Sequence, residues 1–209
     1  MNAPRRALVL IDVQQEYFGG PLSIQYPPRD ESLARILRAV DVAEQADVPV
    51  VIVQHEYPAG APVFTAGSAG WELSPEVERR AGVASKRVVK SFSSIFAATD
   101  LAEWARENEI DTLTLVGYMT NNCVLTSAAA AEPLGFRVEV LSDATGAIHL
   151  ANDAGTAPAR QVHETVMTLL HSNWAAVTET ETWASAVLAG RDLPKSDLVS
   201  SATQGRAAL

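Results

Sequence analysis

The chain has 209 residues, 47% of them apolar and 20% charged, with a net charge of −9. That length and balance fit one globular domain that buries its own core without disulfides or metals. The acidic excess argues against a nucleic-acid or anionic-membrane partner, since both need a basic face, and the single cysteine, Cys123, excludes an internal disulfide and suits a reducing, cytoplasmic setting.

The short polar start, Met1 to Arg6, lacks the layout of a signal peptide, and no apolar run approaches the length of a membrane span. In chain order, strands are expected at Ala7–Ile11, at Val48–Val53, at Val88 and Val89 leading into Lys90, at Thr112–Val116, at Phe136–Leu141 and, as a sixth, at Ala175–Val177. Such near-continuous apolar runs belong to a parallel sheet covered on both faces. Helices are expected at Asp30–Gln45, from a Thr99 cap through Glu107, over Asn122–Leu134, over Thr156–His171 with Val162, Val166, Leu169 and Leu170 inward, and at Thr180–Leu188. Strand–helix alternation implies an α/β fold with right-handed crossovers. Residues 58–71 read as a long loop of the functional kind. Residues 1–190 form the domain, and the polar tail over 191–209 is either mobile or packed on a partner subunit.

In open parallel sheets ligands bind beyond the carboxyl ends of the strands. That rule selects Asp12, Gln54, His55, Lys90, Asn121, Asn122, Cys123 and Asp143. A thiol at a helix start beside a lysine favours thiolate, and Asp12 is placed to move its proton. The plainer readings are a small buried hydrophobe for the cysteine and a turn or cap residue for the aspartate.

Three segments carry a resemblance that decides between these. The stretch ALVLIDVQQEYF (Ala7–Phe18) holds Asp12, Gln14 and Tyr17 in an Asp-x-Gln-x-x-aromatic pattern. VVKSFSSIFAATDL (Val88–Leu101) holds Lys90 followed by Ser94, Phe96, Thr99 and Leu101. In LTLVGYMTNNCVLTSAAAAEPLGFRVEVLSDATGA (Leu113–Ala147) lies a Gly-x-x-Thr-x-x-Cys-Val segment with a trailing Asp-Ala. In this order they resemble the isochorismatase-like cysteine hydrolases, among them nicotinamidases, carbamoylsarcosine amidases and isochorismatases.

The resemblance implies a three-layer α-β-α fold around a six-stranded parallel sheet of order 3-2-1-4-5-6. It implies a triad of Asp12, Lys90 and Cys123, an oxyanion hole from the N–H groups of Met119 and Cys123, and a cis peptide at Tyr118–Met119. A substrate pocket is expected from Tyr17, Phe18, His55, Trp71 and Asn122. Metal-binding nicotinamidases carry an Asp-x-His pair after the second strand and another histidine in the next loop; here the place reads Gln54, His55, Glu56. No metal and no cofactor are therefore expected, and His149, His163 and His171 read as packing residues.

The expected activity is hydrolysis of a carbon–nitrogen bond in a small amide or lactam through a Cys123 thioester, with vinyl ether cleavage of the isochorismatase type as the alternative. Relatives commonly assemble, and residues 58–71 together with Leu193, Pro194, Leu198 and Val199 have no evident place in one subunit's core. A homo-oligomer, dimer or tetramer, is expected.

Overall fold

The structure, a computed structural model, describes residues 3–208. Its strands are β1 (Arg6–Ile11), β2 (Val50–His55), β3 (Ala84–Lys90), β4 (Thr112–Tyr118), β5 (Arg137–Gly146), β6 (Leu150–Asn152), β7 (Gly155–Ala157) and β8 (Ala176–Thr178). Its helices are α1 (Glu16–Gly19), α2 (Arg29–Gln45), α3 (Pro75–Arg79), α4 (Leu101–Glu107), α5 (Leu125–Ala131), α6 (Ala159–Asn173), α7 (Thr180–Leu188) and α8 (Leu198–Ala208).

Six strands pair in the order β3-β2-β1-β4-β5-β8, every pair parallel. Counting sheet strands alone, this is the expected 3-2-1-4-5-6. Side chains of β1 alternate between two cores, because successive Cβ atoms of a strand point to opposite faces. Ala7, Val9 and Ile11 pack with Leu101, Ala105, Ala128 and Met167, so α4, α5 and α6 cover that face. Leu8 and Leu10 pack with Ile36, Val40 and Trp183, so α2 and α7 cover the other. Strand order reverses between β1 and β4, which opens a crevice at their carboxyl ends. At that end Gly117, with φ +101°, pairs with Ile11; a Cβ on it would lie 2.2 Å from the Ile11 carbonyl oxygen, so only glycine lets the two backbones meet.

Several boundaries differ from expectation. The stretch over 155–157 pairs as β7 with β6 instead of opening a helix. The inward stripe of α6 is Ala159, His163, Val166, Met167 and Leu170, whereas Leu169 is exposed. The N-cap position of α4 is Asp100, whose side chain makes no cap bond, while the Thr99 hydroxyl donates to the Ile95 carbonyl and accepts the Leu101 N–H at 3.4 Å. The expected helix over 122–134 begins as a wide π-type turn, Thr120–Val124, before α5.

Two segments thought to lack a place in the subunit have one. Phe64 is buried in the core from within the long loop, and Leu193 packs against the same cluster. The tail continues as α8, whose Leu198 and Val199 remain 63% and 76% exposed.

Candidate functional site

Asp12 follows β1 directly. Its φ is +50°, the left-handed region that side chains seldom occupy, and its N–H is held by the Val53 carbonyl at 3.0 Å. Lys90 closes β3. Cys123 sits in the π-type turn after β4, a turn form common at functional sites. Parallel strands thus carry three residues distant in sequence to one edge. There Lys90 Nζ lies 2.7 Å from Asp12 Oδ2 and 3.3 Å from Cys123 Sγ, with all three residues buried.

The same ammonium also reaches His55 Nδ1 at 2.9 Å and the Phe92 carbonyl at 3.1 Å. An ammonium only donates, so His55 Nδ1 accepts and the ring proton sits on Nε2. Burial, with the Lys90 charge adding to it, pushes the His55 imidazole down to about 4, which leaves it neutral. Gln14, from the first motif, clamps the His55 backbone with both arms. Its Nε2 donates to the His55 carbonyl at 2.9 Å, and its Oε1 accepts the His55 N–H at 2.8 Å.

Burial raises the Asp12 carboxyl, and the Lys90 charge only partly offsets this. For Lys90 burial works against the charge, yet Asp12 and Cys123 more than compensate, so its ammonium is strengthened. Burial, then the Asp12 charge, pushes the Cys123 thiol up to about 12, against the pull of Lys90. The expectation of a ready thiolate is therefore corrected. Held in this way, the proton on sulfur needs a base at the moment of attack.

Other expected residues fall around this centre. The Tyr118–Met119 peptide is cis. Met119 and Cys123 share the turn, and the Met119 carbonyl accepts from Asn122 N and Val124 N at 3.1 and 3.2 Å. Tyr17 is buried between Phe64 and Tyr118, with ring centroids 5.3 and 5.4 Å away; burial, then the charges of Cys123 and Asp12, raises its phenol well above the ordinary value. Phe18 meets Tyr118 edge-on. The Trp71 carbonyl takes bonds from Gln14 and Gln54, while its indole N–H is buried without a partner among the described residues. Asn122 lines the turn, half-buried, with its carbonyl taken by Thr126. Asp143 stands apart: it caps α7 through Thr180 N and Oγ1.

The metal pattern of the nicotinamidases does not fit this site. Gln54, near the carboxyl end of β2, is an amide that donates to the Trp71 carbonyl. Asp12, His55 and Cys123 do offer ligand atoms within 4.8 Å of one another, but the Lys90 ammonium already bonds all three.

One contributor escaped the sequence reading. His171, partly buried, accepts the Val177 N–H, and His149, exposed after β5 rather than packed, accepts the Ala159 N–H at the start of α6. His163 does more. Its Nδ1 accepts the hydroxyl of Thr120, first residue of the cysteine turn, at 2.9 Å, and it also bonds the Ser142 backbone. The available signal was its place at helical spacing among Ala159, Val166, Met167 and Leu170, since a polar group on an apolar stripe requires a partner.

A doubly wound parallel sheet with a buried Asp–Lys–Cys cluster at its switch point defines an α/β protein of hydrolase type. The sequence pattern of the isochorismatase domain matches residues 6–182, and the chain belongs to that family of hydrolases. It is 46% identical, with a TM-score of 0.96 over 99% of this chain and 98% of the other, to a crystal structure of a provisionally assigned isochorismatase from Burkholderia xenovorans LB400. It is 37% identical over 66% of this chain and 71% of the relative to a secreted isochorismatase effector of Verticillium dahliae. It is 27% identical to the nicotinamidase of Escherichia coli K12, over 70% of this chain and 85% of that one. Among the described residues no helix is long and apolar enough to cross a membrane.

Proposed function

We propose that the protein hydrolyses the carbon–nitrogen bond of a small amide or lactam through a thioester on Cys123. The observation that carries this is one ammonium, Lys90 Nζ, bonded at once to Asp12 and Cys123 in a buried cluster at the switch point. Cys123 Sγ attacks the carbonyl carbon while Asp12 takes the thiol proton. The oxyanion so formed is met by the N–H groups of Met119 and Cys123. Collapse breaks the C–N bond, and Asp12 passes its proton to the leaving nitrogen. Asp12 then removes a proton from water, which attacks the thioester; the C–S bond breaks, and the proton on Asp12 returns to sulfur. The Lys90 charge favours the Asp12 carboxylate against burial and balances the charge as sulfur loses its proton. No step calls for a metal or cofactor, and activity should survive exhaustive chelation.

The isochorismatase descriptions of two relatives favour a second reading, vinyl ether cleavage, which needs an acid and no nucleophile. Ammonia release from a panel of primary amides, lactams and ureides tests the first. Release from some members supports it, and no release alongside turnover of a vinyl ether supports the second.

We also propose a cytoplasmic homo-oligomer. Phe92 and Val89 beside the site and Leu198 and Val199 on α8 are all more than half exposed, and a neighbouring copy covering them would remove apolar surface from water at about 25 cal/mol per Å².

A further inference from the structure

Buried side-chain atoms without a hydrogen-bond partner among the described residues include Glu16 Oε1, His55 Nε2, Trp71 Nε1, Asn121 Oδ1 and Asp12 Oδ1, whose companion oxygen pairs with Lys90; they lie at the end of β2 or in segments following β1, β2 or β4. Buried polar groups are nearly always paired, so such a concentration marks a surface built for something other than the protein itself. The His55 Nε2–H is the most defined of these groups. Its tautomer is set by the Lys90 bond to Nδ1. Its backbone is held on both sides by Gln14. Its ring is wedged against Tyr57 and Phe64 with centroids 4.4 and 5.3 Å away. A ring nitrogen of His55 lies within 4.8 Å of both an Asp12 carboxylate oxygen and Cys123 Sγ. The donor is therefore fixed and buried, on a ring whose other nitrogen bonds the ammonium that Asp12 and Cys123 share.

We propose that His55 determines specificity, its Nε2–H binding a hydrogen-bond acceptor that the substrate carries next to the scissile carbonyl. The favoured substrates are then small amides with a second acceptor, such as a ring nitrogen or another carbonyl, rather than hydrocarbon amides. This rests on the amidase reading above. A hydrocarbon substrate would leave the buried N–H unpaired, and sites built to bond a polar group discriminate strongly against analogues without it. Because the ring is neutral, the bond is that of a plain donor and imposes no demand for an anionic substrate.

The experiment uses shape-matched probes: the three pyridinecarboxamides against benzamide, and 3-oxobutanamide against butanamide, with ammonia release as the readout. In the wild type at least one acceptor-bearing probe should exceed its hydrocarbon partner in kcat/KM by about tenfold or more. Two variants separate the ends of the ring. His55→Asn places an acceptor near Lys90 but has no distant donor, and the ratio should fall towards one. His55→Gln restores a donor at the distant position, and the preference should return. A wild type that hydrolyses these amides without preferring an acceptor, or a preference that persists in His55→Asn, overturns the inference and leaves the amidase reading standing. Ammonia from none of the probes, nor from any amide of the wider panel, overturns both.

Discussion

Lys90 Nζ and Asp12 Oδ2 form an ion pair of 2.7 Å in which both side chains are closed off from solvent. Removing one partner strands the other charge in a low-dielectric site. Lys90→Met should cost about 3–5 kcal/mol of stability and lower kcat/KM severely. Asp12→Asn keeps the shape but cannot accept the thiol proton, so kcat/KM should fall about 10²–10⁴-fold. Denaturant unfolding and steady-state kinetics check these together, and near wild-type turnover in either variant contradicts the proposed triad.

Because burial and the Asp12 charge hold the Cys123 thiol at about 12, its alkylation by iodoacetamide should climb steadily with pH between 7 and 10 and show no plateau there. A nearby negative charge disfavours thiolate, so Asp12→Asn should move the midpoint down, making alkylation faster at pH 8 even as turnover is lost. Lys90→Met should move it up, since a favourable positive charge is removed. A wild-type plateau below pH 8 would instead indicate a preformed thiolate.

The Thr120–His163 bond ties the cysteine turn to α6. Neither residue is proposed to touch substrate, so the pair acts by position. Thr120→Val and His163→Phe should each lower kcat with little change in KM, and the double variant should be no worse than the poorer single one, as for residues sharing one interaction. Restoration of part of kcat by His163→Asn, which can still accept the hydroxyl, would separate positioning from packing. Additive losses in the double variant contradict the assignment.

Light scattering across a micromolar dilution series should give a mass that is a multiple of 22.3 kDa. A mass at the monomer value throughout contradicts assembly. Truncation after Gly190 tests the tail separately: α8 matters to assembly only if the mass then falls.

The sheet was legible because each buried strand is an apolar run, and the site was legible because Asp12 and Lys90 stand where such runs end. The order of the strands came from resemblance, since periodicity does not fix which runs are neighbours. The π-type turn was hidden because Asn122 to Leu134 has the composition of an ordinary helix and nothing local marks a widened first turn. The thiol's high pKa depends on burial and on Asp12, more than a hundred residues away in sequence. The β6–β7 hairpin is too short for a period to show. His163 read as a packing residue and is buried, but its bond to Thr120, 43 residues away in sequence, left no local mark.

The most direct test is intact-mass and peptide mass spectrometry of the enzyme quenched during turnover of an amide found by the ammonia screen, with Cys123→Ala as control. The account predicts an acyl group on the Cys123 peptide, with the mass of the substrate less its leaving amine, and neither adduct nor turnover in Cys123→Ala. Turnover by Cys123→Ala above a few per cent of wild type would contradict Cys123 as the nucleophile and favour acid-catalysed vinyl ether cleavage.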